Sequence, residues 1–176
     1  PTGGQQSPFD AWQTIQGLNT LPLRMERHCE NARRVAEFLR DDHRVEWVSY
    51  PGFEDHRSHA NAAEYLDGFG GMVTFGVDGG YEAAKTFCES VELTSFLANI
   101  GDAKTLVIHP ASTTHAQMDE AQQRLAGVYP EMLRLSVGIE DPADVVADLD
   151  AGLAAGERAA GGGTGDHGAE TGEEGI

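Results

Sequence analysis

Lysine is nearly absent from the sequence, and cationic residues in general are scarce. The 176-residue chain has two lysines, Lys85 and Lys104, and its 12 Lys and Arg residues face 29 Asp and Glu, for a net charge of −17. Such a surface repels phosphates, which excludes nucleic acid and anionic membranes as partners. Scattered acids are typical of a halophilic surface, adapted to molar salt where the Debye length is roughly 3 Å, or of an acidic partner-binding protein. Because the acids are spread through predicted helices, we favour the halophilic surface.

The sequence also has few cysteines and no long apolar segment. Cys29 and Cys88 are far apart in the chain, so they form neither a disulfide framework nor a CxxC site, and we expect two buried, reduced thiols. No segment reaches the roughly 18 apolar residues of a membrane-spanning helix, and no signal-peptide pattern is present. These absences predict a cytoplasmic protein.

The hydrophobic periodicity of the chain predicts an α+β fold. Predicted strands separated by helices fit a four-stranded sheet that is covered by helices on one face. The predicted helices lie between Ser7 and about Leu39 with a break at Pro22, at 60–66, 83–91 and 119–125, and after the N-cap Asp141; the predicted strands lie at 45–52, within 70–80, at 105–109 and at 132–138.

The two ends of the chain differ in composition from its middle. Residues 1–6 are predicted to be the truncated end of a connection, and residues 7–155 a single domain whose first helix links it to something before it. Residues 156–176 have almost no large apolar side chain, so they cannot offset the entropy cost of ordering. We predict that they form a disordered, acidic, glycine-rich tail.

An arginine lies in the middle of the last predicted strand. Leu133, Leu135 and Val137 share one face of this strand, and Arg134 and Ser136 share the other. Arg134 is either an exposed or ion-paired residue on the open face of a half-buried sheet, or part of a cleft in which its guanidinium binds a carboxylate through two hydrogen bonds.

A polar segment, "SFLANIGDAKTLVIHPASTTH" (95–115), precedes that strand in the sequence. Asn99 and Gly101 lie in a predicted turn, and His109 and His115 flank a polar loop. The spacing of the two histidines matches no zinc pattern, so we predict no metal site and expect histidines that fix the loop through hydrogen bonds.

Three segments resemble, in the same order, the C-terminal part of the Cys/Met-metabolism family of pyridoxal-phosphate enzymes. They are "SPFDAWQTIQGLNTLPLRMERHCENARRVAEFL", "ANIGDAKTLVIHPASTTH" and "LRLSVGIEDPADVVADLDAGL", and the resemblance covers about residues 5–155. Asn99 stands where the lyases and cystathionine synthases of the family usually have serine, which favours the sulfhydrylase branch. The resemblance implies the small C-terminal domain of the aspartate-aminotransferase-type fold (fold type I), which closes over the substrate.

The resemblance also implies a set of substrate-binding residues. Arg134 matches the arginine that binds the α-carboxylate of the amino-acid substrate, Asn99 a residue that helps to hold that carboxylate, and Thr114 a threonine near the substrate. Pyridoxal phosphate is the electron sink. In the sulfhydrylase branch the acetate at Cγ of an acetylated homoserine is replaced by sulfide, which gives homocysteine. Complete members of the family are homo-oligomers, commonly tetramers.

The chain departs from the family at the cofactor. The cofactor lysine of the family lies further upstream in a "TK" segment, and neither Lys85 nor Lys104 matches it; the phosphate-binding residues and the ring-stacking aromatic are also missing from this chain. The resemblance therefore assigns no catalytic or cofactor-binding residue here, and we expect no activity from this chain alone. The chain is then either a fragment or a split gene product of such an enzyme, or a non-catalytic acidic interaction module. For the complete enzyme, the alternatives to sulfhydrylase activity are a γ-lyase or a cystathionine γ-synthase activity.

Overall fold

The computed structural model describes residues 3–162, which form one mixed sheet with helices packed against it. The helices are α1 (Pro8–Asn19), α2 (Leu21–Asp41), α3 (His59–Tyr65), α4 (Gly80–Ser90), α5 (Glu120–Leu125) and α6 (Pro142–Gly162), with a 3₁₀ turn at Pro110–Ser112. The strands are β1 (Val45–Ser49), β2 (Met72–Val77), β3 (Ser95–Phe96), β4 (Leu106–Ile108) and β5 (Met132–Ser136).

The sheet has five strands in the order β1-β2-β5-β4-β3, so β5 lies at its centre. All neighbours are antiparallel except β3 and β4, which are parallel. The predicted four-stranded sheet was wrong by one strand, because β3 has two residues and is too short to show an alternating pattern. The carboxylate of Asp148 fixes the entry to β3 by accepting the N–H groups of residues 92–94.

The hydrophobic core lies between one face of the sheet and three helices, as the sequence predicts. Leu133 and Leu135 of β5 are fully buried in one cluster with side chains of β2, α2, α4 and α6. Burying such a Leu side chain contributes roughly 1.5 to 3 kcal/mol. The period of two in a strand then requires that the residues between them lie on the opposite face.

The last helix extends beyond its predicted end at residue 155. α6 continues to Gly162, so the predicted disordered tail does not begin at residue 156. The reason is close packing on α4: a Cβ on Gly156 would lie 2.9 Å from the carbonyl oxygen of Ala83, and only glycine permits this approach. The rest of the predicted tail, residues 163–176, and the first two residues of the predicted connection lie outside the described residues.

Ser7 and Asp141 cap the N-termini of α1 and α6, as their residue types predict. Ser7 Oγ accepts the N–H of Asp10 at 3.2 Å, and Asp141 Oδ1 accepts the N–H of Ala143 at 2.9 Å. Of the predicted thiols, Cys88 is buried, which raises its pKa to about 12, whereas Cys29 is partly exposed. Within residues 3–162, no helix has the length and hydropathy needed to cross a membrane.

α1 is exposed along its whole length. None of its residues is buried, and its apolar side chains recur every third residue: Phe9, Trp12, Ile15 and Leu18 are between 55% and 63% exposed. We call these four residues the α1 apolar stripe. An isolated helix of 12 residues is marginal in water, and the other described residues bury no residue of α1, so we expect α1 to be weakly held in this chain.

We therefore expect the backbone amides of α1 to exchange hydrogen on the order of 100-fold faster than those of α2, whose inner side is buried. Hydrogen exchange followed by mass spectrometry on the 176-residue chain measures this difference. Equal protection of the two helices would show that α1 is covered in solution and would contradict the expectation.

Candidate functional site

Arg134 lies at the centre of the sheet, on the face away from the helices. In the register of the sheet it is opposite Thr74 of β2 and Ile108 of β4. Its neighbours in β5, Leu133 and Leu135, are fully buried against the helices. The alternation predicted from the sequence is thus confirmed, and it fixes where Arg134 lies.

The guanidinium of Arg134 differs from those of the other described arginines in its burial, because it is the one with a buried nitrogen that has no partner. Five other arginines form ion pairs with Asp or Glu, and the described ones that form none are Arg24, Arg27, Arg57 and Arg158. Arg134 is only partly exposed, yet within residues 3–162 it has no ion pair, and its buried Nε has no hydrogen-bond partner. A buried donor without an acceptor is unfavourable, so this geometry fits an anion supplied from outside the chain.

The segment between β3 and β4 carries Asn99, and we call it the Asn99 turn. It is attached to the face of the sheet on which Arg134 lies. Gly101 has a φ of +75°, which favours glycine, and its N–H donates to Ser136 Oγ at 3.2 Å. Ser136 follows Arg134 by two positions and so shares its face. Asn99 Oδ1 accepts the N–H of Ile100 at 2.8 Å, which leaves the Nδ2 donors of this exposed side chain available to a ligand.

Thr114 lies in the loop after β4, away from the Asn99 turn. β4 runs antiparallel to β5, so the loop after β4 leads toward the N-terminal end of β5, whereas the Asn99 turn is attached near its C-terminal end. The hydroxyl of Thr114 is exposed and lies 2.8 Å from Nδ1 of His115. Of the three residues predicted to bind substrate, Arg134 and Asn99 are brought to adjoining segments, and no hydrogen bond within residues 3–162 joins Thr114 to either.

His109 fixes the loop after β4, as expected. It is fully buried; its Nε2–H donates to the carbonyl of Pro130 at 2.7 Å, so Nδ1 is the acceptor for the hydroxyl of Ser112 at 2.9 Å. Burial lowers the pKa of His109, against the raising effects of the Pro130 carbonyl and Glu82. Among the described residues, no three His, Cys, Asp or Glu side chains gather in a group that could hold a metal ion.

Two buried polar residues of α2 hold the end of β5, and the sequence pattern did not single them out. His28 Nδ1 donates to the carbonyl of Val137 at 2.6 Å, and Asn31 Nδ2 donates to the carbonyls of Gly138 at 3.0 Å and Glu140 at 2.8 Å. Apolar residues at three- and four-residue spacing predict an inner side of α2 that includes Met25 and Cys29, but Met25 is exposed and Cys29 is partly exposed. The available signal was the three-residue spacing of His28 and Asn31 on the side that continues into Ala32 and Val35.

A carboxylate locks the other side of this segment to the Asn99 turn. Glu140 accepts the N–H of Thr105 at 2.6 Å and its hydroxyl at 2.9 Å. Thr105 Oγ1 in turn accepts the N–H of Gly138 at 2.9 Å. The two segments approach so closely that a Cβ on Gly138 would lie 2.4 Å from the carbonyl oxygen of Ala103. Gly138 is therefore glycine for reasons of space.

Comparison with known proteins shows which family the chain belongs to. The family model described as Cys/Met metabolism PLP-dependent enzyme matches residues 1–154 of the sequence, and the chain belongs to this family. It is 53% identical over 149 residues to the O-acetyl-L-homoserine sulfhydrylase of Leptospira meyeri, an alignment that includes 84% of this chain and 34% of the relative.

Two solved structures extend the comparison to the fold. A putative O-acetylhomoserine (thiol)-lyase of Campylobacter jejuni, in which a lysine carries the pyridoxyl phosphate group, has a TM-score of 0.79 and 38% identity over 86% of this chain and 36% of that one. Cystathionine gamma synthase of Xanthomonas oryzae, in complex with aminoacrylate and cysteine, has a TM-score of 0.80 and 40% identity over 88% of this chain and 40% of that one. The chain thus spans 34% to 40% of the length of these proteins.

The residues described do not by themselves form a site for pyridoxal phosphate. Lys85 lies on α4, which packs on the face of the sheet opposite Arg134, and Lys104 is exposed in the Asn99 turn. The side chains of both lysines are exposed. The unpaired guanidinium of Arg134 fits a substrate carboxylate, and we assign no step of cofactor chemistry to this chain.

The packing at Gly138 gives a testable expectation. Gly138→Ala drives a methyl group into the backbone of Ala103 and should lower the free energy of unfolding by about 1 to 3 kcal/mol. Gly17→Ala is the matched control, because it meets no atom within 4 Å and removes a helix glycine, which should be neutral or stabilising by about 0.5 to 1 kcal/mol. Urea denaturation measures both, and equal effects would contradict the close approach.

Proposed function

We propose that this chain is the substrate-binding C-terminal part of a pyridoxal-phosphate-dependent O-acetylhomoserine sulfhydrylase, which makes homocysteine from O-acetylhomoserine and sulfide. The observation that carries the proposal is the partly buried Arg134, whose guanidinium has no ion pair among the described residues in a chain with 29 acidic residues. The sulfhydrylase identity is supported by the similarity to the Leptospira meyeri enzyme.

In this proposal Arg134 binds and orients the substrate. A guanidinium donates two parallel hydrogen bonds to a carboxylate, which fixes the direction of the bound amino acid as well as its position. Asn99 donates a further hydrogen bond through Nδ2. Arg134 holds the substrate and takes no part in proton transfer. Correct orientation of a reacting bond is itself a large contribution to catalysis.

The cofactor, in the same proposal, is held mainly by residues of the family fold that this chain does not span. The chain alone then binds a carboxylate weakly and does not turn over substrate. The α1 apolar stripe supports this view, because its exposed side chains require a covering surface. We propose that this surface belongs to the complete enzyme, a homo-oligomer.

A second candidate is cystathionine γ-synthase, which the similarity to the Xanthomonas oryzae structure favours. The two activities share the amino-acid carboxylate and differ in the sulfur nucleophile, sulfide or cysteine. Arg134 and Asn99 would serve both, so the carboxylate site does not distinguish them.

A chimaera tests the function. Residues 3–154 of this chain replace the corresponding part of the Leptospira meyeri sulfhydrylase, and products are measured with O-acetylhomoserine and either sulfide or cysteine. We expect homocysteine from sulfide. Cystathionine as the main product would support the second candidate, and no product from a folded, cofactor-loaded chimaera would reject both.

In the same chimaera, Arg134→Ala should raise KM for O-acetylhomoserine while the cofactor absorbance is unchanged. Loss of a charged hydrogen-bond partner costs about 2 to 4 kcal/mol, which corresponds to roughly a 30- to 1,000-fold change in affinity. Arg33→Ala, which removes an exposed ion pair with Glu37, is the control and should leave KM within about twofold. An unchanged KM for the Arg134 variant would assign this residue to the fold alone.

A further inference from the structure

The Asn99 turn is held to the sheet mainly through side-chain hydrogen bonds. Between β3 and β4, its hydrogen bonds to β5 and the segment after β5 include the N–H of Gly101 on Ser136 and the N–H of Ile139 on the carbonyl of Ala103 at 2.9 Å. At the base of the turn, Thr105 donates to Glu140 through its N–H and its hydroxyl, and its Oγ1 accepts the N–H of Gly138. Thr105 is fully buried, so these last bonds are shielded from competition with water.

Glu140 is itself held between two rigid elements. Its carbonyl accepts a hydrogen bond from Asn31 of α2 at 2.8 Å, and α6 begins two residues after it, at Pro142. A series of hydrogen bonds therefore runs from α2 through Glu140 and Thr105 to the turn that carries Asn99. Arg134 is held independently of these hydrogen bonds, by the pairing of β5 with β2 and β4.

We propose that Glu140 is a positioning residue which, through Thr105, holds the Asn99 turn against the C-terminal end of β5, so that Asn99 and Arg134 donate to the same substrate carboxylate. The inference rests on the proposed carboxylate site. Both residues approach a ligand with donors that the described part of the chain leaves available: Nδ2 of Asn99 and the guanidinium of Arg134. Their separation depends on the hydrogen bonds of Thr105, because these bonds tie the base of the turn to Glu140 and Gly138, whose carbonyls Asn31 of α2 holds.

If Glu140 and Thr105 position the turn, one isosteric substitution should remove the contribution of Asn99 to ligand binding and leave that of Arg134 in place. Thr105→Val keeps the buried volume and removes the hydroxyl that donates to Glu140 and accepts from Gly138. Thr105→Ser keeps the hydroxyl and is the matched control. Glu140→Gln is a second variant, at a partly exposed position, which removes the charge without changing the backbone.

The experiment is an NMR titration of the 176-residue chain with O-acetyl-L-homoserine in the tens of millimolar, against sodium chloride at equal ionic strength. The probes are the Nε–Hε signal of Arg134 and the side-chain amide signals of Asn99. In the wild-type chain both should shift with one apparent Kd. In Thr105→Val and Glu140→Gln the Arg134 signal should still respond, while the Asn99 response is lost and the apparent Kd rises about tenfold; Thr105→Ser should behave as the wild type.

The outcomes separate this inference from the proposed function. A variant that is destabilised but keeps the joint response of Asn99 and Arg134 shows that the Glu140–Thr105 contact is structural only, and the inference is then wrong while the carboxylate site stands. If Arg134 in the wild-type chain responds no more than the exposed Arg57, the carboxylate site itself fails, and the positioning role fails with it.

Discussion

The arrangement of this structure depends on the two different faces of the central strand, β5, one packed into the hydrophobic core and the other carrying Arg134. Three aliphatic residues of this segment, Leu133, Leu135 and Val137, are at most 1% exposed and hold the sheet against α2, α4 and α6. A slip of one residue in this strand would move Arg134 into the hydrophobic core, where an unpaired charge is very costly. The stability of the core and the placement of the guanidinium are thus one constraint.

A second layer of polar contacts joins this strand to the segment that carries Asn99. His28 and Asn31 hold the end of β5 from the helix side, and Glu140 and Thr105 hold the turn from the other side. The result is a pair of hydrogen-bond donors on adjoining segments, one fixed by strand pairing and the other by side chains. In a chain that spans 34% of a curated relative, we propose that this pair of donors is part of a substrate site.

Periodic features of the fold were predictable from the sequence, and isolated contacts were not. Local sequence patterns predict the alternation in β5, the cap residues Ser7 and Asp141 and four of the five strands. These patterns are either a repeat of apolar residues or a capping residue at the start of a helix. β3 has two residues, too few for a pattern. The extension of α6 to Gly162 depends on glycine packing against Ala83, and the Glu140–Thr105 contact joins residues 35 positions apart; neither leaves a local signal. The proposed role of Arg134 comes from resemblance, because the pattern alone favours an ordinary exposed or ion-paired arginine.

If Arg134 anchors the carboxylate of an amino-acid substrate, as we propose, a crystal structure of the chimaeric enzyme with O-acetyl-L-homoserine or an unreactive analogue bound should show the contact directly. We expect the α-carboxylate to lie against the guanidinium of Arg134 with N···O distances of about 2.7 to 2.9 Å and within hydrogen-bond reach of Asn99. A carboxylate bound to other residues, with Arg134 facing solvent, would show that Arg134 does not bind the substrate.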